Sequence, residues 1–168
     1  MQKARVLLAD DEKDFVDVMK DRLESVGYSV EACYDIGQAL KEVQDKEYDV
    51  AIIDLVMPDT DGITAMHRIK IIRPLMECIV LSGQGTLRLA IESMKQGAFD
   101  FLEKPCELKV VTQVIDEAYA KKHEHDNRIR KAAKKVYSRL EQAIVGATFA
   151  QAGQFDTAKE ILRKKQKE

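Results

Sequence analysis

Val50-Ala51-Ile52-Ile53-Asp54-Leu55-Val56-Met57-Pro58 is an apolar run that meets a carboxylate and then a proline-ended turn. A short run without polar interruption is the pattern of a strand buried on both faces, and such strands belong to parallel sheets covered by helices on either side. The carboxylate is expected to stand exposed where the strand stops. The same punctuation recurs outward in both directions. Upstream, Val6-Leu7-Leu8-Ala9 ends on Asp10-Asp11. Downstream, Ile79-Val80-Leu81 ends on Ser82, and Phe99-Asp100-Phe101-Leu102 runs into Lys104-Pro105.

Amphipathic stretches alternate with these runs, which is the layout of βα units around a parallel sheet. The pattern predicts strands near 4–9, 29–34, 49–53, 78–81 and 99–102, and helices near 13–26, 36–46, 62–72, 86–96 and from 107 onward. Gly27, Gly37, Gly62 and Gly97 fall at or beside the joins, where a turn or positive φ is cheap for glycine. In the first helix, Phe15, Val18, Met19, Leu23 and Val26 are expected to face the sheet. The fold class is therefore α/β, and ligands in open α/β sheets sit outside the carboxyl ends of the strands. Asp10, Asp54, Ser82 and Lys104 all fall at such ends.

A chain of 168 residues with 45% hydrophobic content supports one ordinary domain plus a modest appendage. Cys33, Cys78 and Cys106 are odd in number and lack short paired spacing, so free thiols in a reducing compartment are expected. The apolar run before Asp10 is too short for a signal-peptide core or a membrane span, which predicts a cytoplasmic protein. Residues 1–120 carry 14 Lys/Arg against 23 Asp/Glu, a net −9, while residues 121–168 carry 13 against 6, a net +7. Opposite charge predicts two segments with different jobs, 1–120 and 121–168.

Asp10, Asp11 and Asp54 would repel one another unless a cation held them, and a hard divalent ion such as Mg²⁺ suits oxygen ligands. A lysine aimed at the same point would pair with a phosphoryl oxygen, and a serine hydroxyl could hydrogen-bond a second. This is a constellation for phosphoryl transfer without a nucleotide cradle, since Gly83-Gln84-Gly85 lacks the Gly-Lys-Ser/Thr ending of a phosphate loop. The plainer readings are Asp10 as a helix N-cap, Asp54 and Ser82 as turn residues, and Phe101 as core.

Residues 1–120 resemble the receiver domain of two-component response regulators. The matching pieces are Leu8-Ala9-Asp10-Asp11, Asp54-Leu55-Val56-Met57-Pro58 with Asp61-Gly62, Leu81-Ser82-Gly83, and Gly97-Ala98-Phe99-Asp100-Phe101-Leu102-Glu103-Lys104-Pro105. The resemblance implies a flavodoxin-like (βα)5 fold with strand order 2-1-3-4-5. It implies Asp54 as phosphoacceptor from a sensor histidine kinase or a histidine phosphotransfer protein. Asp11, Asp54 and the Val56 carbonyl would ligate Mg²⁺, with Asp10 acting mainly through water. Ser82 and Phe101 would be the switch residues and Lys104 the phosphate-pairing cation, aimed by a cis peptide to Pro105. Catalysis would be limited to the chain's own aspartyl phosphorylation and dephosphorylation. Val56 and Gln84 would flank the path of attacking water, and a valine cannot position a water, so phosphate loss should be slow to intermediate.

Beyond the fifth helix the apolar pattern continues after His123-Glu124-His125-Asp126-Asn127, with Ile129, Ala133, Val136, Leu140 and Ala143. Steps of 4, 3, 4 and 3 make a heptad seam of about two heptads. Val145-Gly146, Phe149, Gly153, Phe155, Ala158 and Leu162 are similar in spacing to one tetratricopeptide unit, and an ordinary helix hairpin turning at Gly153 fits as well. His123 and His125, at i and i+2, make a poor metal pair. The expected output is altered protein contact, with homodimerisation through the helix-four, strand-five and helix-five face and the tail. The competing functions are a DNA-binding regulator using the basic tail, and a phosphatase with an aspartate nucleophile. The first lacks a visible recognition helix after a tight turn. The second needs an Asp-x-Asp strand end, where this chain has Asp10-Asp11.

Overall fold

The computed structural model describes residues 3–58, 60–83 and 86–151. Gln84 and the tail positions Gly153, Phe155, Ala158 and Leu162 lie outside the described residues, as do the side chains of Val145 and Phe149. Elements follow in strict alternation: β1 (Arg5–Ala9), α1 (Lys13–Ser25), β2 (Ser29–Cys33), α2 (Ile36–Asp45), β3 (Val50–Asp54), α3 (Gly62–Ile72), β4 (Glu77–Ser82), α4 (Leu87–Lys95), β5 (Asp100–Glu103) and α5 (Leu108–Gln151). The strands form one parallel sheet in the order β2-β1-β3-β4-β5, the expected flavodoxin-like arrangement.

Continuous burial of β3 and β4 explains their unbroken apolar character, because each face meets its own core. On one face, Leu7, Ala51, Ile53, Cys78 and Val80 pack with Val43 of α2, Met66 and Ile69 of α3, and Leu89 of α4. On the other, Val6, Leu8, Ile52, Ile79 and Leu81 pack with Val16, Met19 and Leu23 of α1 and Val111, Ile115 and Ala118 of α5. Each fully buried Leu or Ile side chain contributes roughly 2 kcal/mol relative to exposure.

Helix α1 corrects one expectation. Val18 and Val26 are exposed, Phe15 is half-buried, and Val16 takes the core position instead. The helices start on recognisable caps. Asp35, Asp61 and Thr86 each accept a backbone N–H from three residues ahead, at the starts of α2, α3 and α4. Gly27 and Gly97 have φ of 97°, a backbone that other residues avoid, and they close the turns into β2 and β5. The three cysteines are free, with Cys33 and Cys78 buried.

The chain divides into two compact units, Met1–His125 and Asp126–Glu168, with the boundary inside α5. Within the first unit, charged side chains fasten α5 to the amino ends of the strands. Lys122 Nζ donates to Asp49 Oδ1 at 2.7 Å and to the Tyr48 carbonyl at 3.0 Å, and buried Glu77 pairs with Lys70 and Lys121. In the second unit, α5 shows Ile129, Val136, Leu140 and Ile144 on its surface, all more than half exposed. Among the described residues, no helix is long and apolar enough to cross a membrane.

Candidate functional site

Parallel strands direct their carboxyl ends to one rim, and the register brings the expected residues together there. Asp54 pairs with Leu81 beside Ser82, and Ser82 pairs with Glu103 beside Lys104. The Lys104 N–H donates to the Ser82 carbonyl at 2.8 Å, and the Leu55 N–H to the Leu81 carbonyl at 2.8 Å. The Lys104-Pro105 peptide is cis. These backbone bonds fix the ends of β3, β4 and β5 as one platform.

Asp54 differs from the expected exposed carboxylate: only 5% of it is accessible. The chain turns straight back over it, with Val56 bridged to Asp61 and the Gly62 N–H donating to the Leu55 carbonyl. Gly62 is required here for space, not for its dihedral freedom. A Cβ on it would lie 2.3 Å from the Asp54 carbonyl oxygen.

Lys104 occupies the centre of the site with its side chain only 10% accessible. Its Nζ lies 2.6 Å from Asp10 Oδ2, 2.9 Å from Glu12 Oε1 and 3.6 Å from Asp54 Oδ2, and 4.6 Å from the centre of the Phe15 ring. Apart from its ion pair with Lys104, Asp10 Oδ2 has no hydrogen-bond partner, and Asp54 Oδ1 is a buried oxygen with none. Burial, the largest influence, pushes the Asp54 carboxyl up; Lys104 draws it down, Asp10 pushes it up again, and it ends above the usual range. Burial opposes the Lys104 ammonium. Its ion pair with Asp10, its hydrogen bond to Glu12 and the charge of Asp54 outweigh that effect and raise its pKa.

Asp10 is not the N-cap of α1. That position belongs to Glu12, whose N–H donates to Asp10 Oδ1 at 2.9 Å. Asp10 is fully buried and Asp11 is exposed. The carboxylates whose oxygens lie within 4.8 Å of one another are Asp10, Glu12 and Asp54, and Asp11 is not in that group. The unpartnered buried Asp54 Oδ1 and the buried carboxylate of Asp10 beside it are oxygen donors that fit a hard divalent cation. Ser82 is buried at the end of β4, Val56 is exposed in the turn after β3, and Phe101 is half-buried against the core that contains Val80.

A parallel sheet in this strand order, with acid, hydroxyl and lysine on converging strand ends, defines a class of phosphoacceptor modules. The chain belongs to the response regulator receiver domain family, whose model matches residues 6–116. It is 36% identical over 118 residues to the DNA-binding transcriptional regulator NtrC of Azospirillum brasilense, a match covering 70% of this chain and 24% of that protein. The chain thus spans about a quarter of the length of the curated relatives it matches. Among solved structures, a response regulator receiver domain from Clostridium thermocellum is 34% identical with a TM-score of 0.68, covering 71% of this chain and 97% of that one. The beryllofluoride-activated NtrC4 receiver domain dimer is 31% identical with a TM-score of 0.67, covering 70% and 98%.

Proposed function

We propose that the chain is a phosphorylation-controlled switch in which Asp54 accepts a phosphoryl group from the phosphohistidine of a sensor kinase or phosphotransfer protein. The observation that carries this reading is the buried Asp54 carboxylate, whose Oδ1 has no hydrogen-bond partner and whose Oδ2 lies 3.6 Å from the Lys104 ammonium. An Asp54 oxygen attacks phosphorus in line with the leaving nitrogen. The O–P bond forms as the N–P bond breaks, and the imidazole leaves with a proton. Lys104 pairs with a phosphoryl oxygen, and Ser82 offers its hydroxyl to another. Asp10, Asp11, Asp54 and the Val56 carbonyl would hold Mg²⁺, which when bound would supply positive charge against the phosphoryl oxygens. No turnover of another substrate is assigned to the chain.

Output is contact with protein. Residues 1–120 act as the receiver and 121–168 as an extension that reads its state. The NtrC4 relative is a receiver dimer, which supports dimerisation, and Leu87, Ile91 and Met94, exposed on α4, support contact through the α4, β5 and α5 face. The exposed heptad seam on the tail supports a second point of contact. The test is intact-mass detection of one phosphoryl group after acetyl phosphate treatment, with sedimentation in the presence and absence of beryllofluoride and Mg²⁺. Labelling that persists in Asp54→Asn would overturn the acceptor assignment, and an unchanged mass and shape would overturn the switch. A salt-dependent mobility shift on duplex DNA would favour the nucleic-acid reading that the name of the Azospirillum relative suggests.

A further inference from the structure

We infer that Glu12 is a positioning residue that holds the Lys104 ammonium back from Asp54 until a phosphoryl group competes for it, a role that rests on Asp54 being the acceptor. The distances order the contacts: Lys104 Nζ is 2.6 Å from Asp10 and 2.9 Å from Glu12, but 3.6 Å from Asp54. An ammonium has three N–H donors. Here its short contacts are with two carboxylates that do not accept phosphate.

Those two carboxylates differ in how easily they let go. Asp10 is fully buried, and its second oxygen is fixed by the Glu12 N–H, so releasing Lys104 would strand a buried charge. The Glu12 side chain is 66% exposed, makes no capping bond to α1, and recovers water when it swings away. An exposed pair of this kind is the weaker one, and a phosphoryl dianion displaces it. Glu12 therefore acts as a removable restraint, and Asp10 as the pivot about which Lys104 moves toward Asp54.

The test compares the whole chain with Glu12→Gln, and with Asp14→Asn as a control for acidity on the same helix. Beryllofluoride binding at saturating Mg²⁺ and Mg²⁺ binding alone are measured by calorimetry, and the Lys104 ammonium is followed by ¹⁵N resonance. Glu12→Gln should bind beryllofluoride about threefold more tightly, since one exposed ion pair no longer has to break. Mg²⁺ affinity should be unchanged. The Lys104 signal should differ from wild type in the free protein and coincide with it in the complex. An equal gain in Asp14→Asn, or no gain in Glu12→Gln, overturns the proposal. A marked loss of Mg²⁺ affinity in Glu12→Gln also overturns it, by making Glu12 a metal ligand. Failure of the wild type to bind beryllofluoride at all defeats the acceptor assignment itself, and this inference with it.

Discussion

Replacing Gly62 by alanine adds one methyl group, and the structure says where it lands. The new Cβ would lie 2.3 Å from the Asp54 carbonyl oxygen, 2.7 Å from Leu55 Cα and 3.1 Å from the Asp54 carbonyl carbon. Real Cβ atoms essentially never approach closer than 3.0 Å. All three neighbours are backbone, so no rotamer relieves the overlap; either α3 or the end of β3 must move. Neither is loose. Strand β3 is paired on both sides, and α3 is held by buried Ala65, Met66 and Ile69. Overpacking of this kind costs about 1–3 kcal/mol, and weakening the Gly62 N–H bond to the Leu55 carbonyl adds about 1 kcal/mol. Alanine's better helix propensity returns up to about 1 kcal/mol. The net expectation is destabilisation of about 2 kcal/mol, a fall in Tm of roughly 8 °C for a domain of about 120 residues. Urea denaturation followed by circular dichroism measures it, with Gly83→Ala as the control because a Cβ there meets nothing within 4 Å. Because the displaced backbone carries Asp54, labelling by acetyl phosphate should also slow. An unfolding midpoint for Gly62→Ala equal to that of the wild type would refute the reasoning.

Three further outcomes are expected. With chelator present, Asp54→Asn should be more stable than wild type at pH 7 by about 1 kcal/mol, because it removes a buried charge only partly compensated by Lys104. The folded-state pKa of Asp54 is raised, so wild type takes up its proton more readily when folded. The stability gap is therefore full at neutral pH and closes as pH falls through that pKa toward the ordinary 3.8; a constant gap down to acid pH contradicts this. Lys122→Met should lower stability by about 1–2 kcal/mol, since it leaves the Tyr48 carbonyl and Asp49 without their partner, and an unchanged urea midpoint would count against that. Val56→Asn should speed loss of phosphate after acetyl phosphate labelling, and a wild-type half-life of seconds with no acceleration in the variant contradicts the slow-decay expectation.

The alternation of apolar runs and amphipathic stretches placed every element to within about one residue, because four of the five strand ends here are marked by a charged or hydroxyl side chain. Helix α1 shows where periodicity loses its grip. Phe15-Val16 and Val18-Met19 are adjacent apolar pairs, so two stripes fit the same heptad, and only the packed sheet selects Val16 over Val18. Glu12 was invisible for a different reason. It is an exposed acid among several at the start of a helix, and its significance comes from Lys104, ninety-two positions away. Gly62 looked like a turn glycine in the sequence; its close approach to the Asp54 backbone exists only once α3 folds over β3.

The strand order also has a consequence for synthesis. Lys104 follows β5, the edge strand, which is added to the sheet last in sequence, while Asp10 and Asp54 belong to strands made much earlier. A nascent chain halted after β4 would carry the acid pair, the acceptor and the serine, but no cation to balance them. Proteins grow from the amino end at about 5–20 residues per second. On the proposed chemistry, Asp54 gains its phosphate-pairing cation only once everything through Lys104 has left the ribosome, so unfinished chains are expected to draw little phosphate.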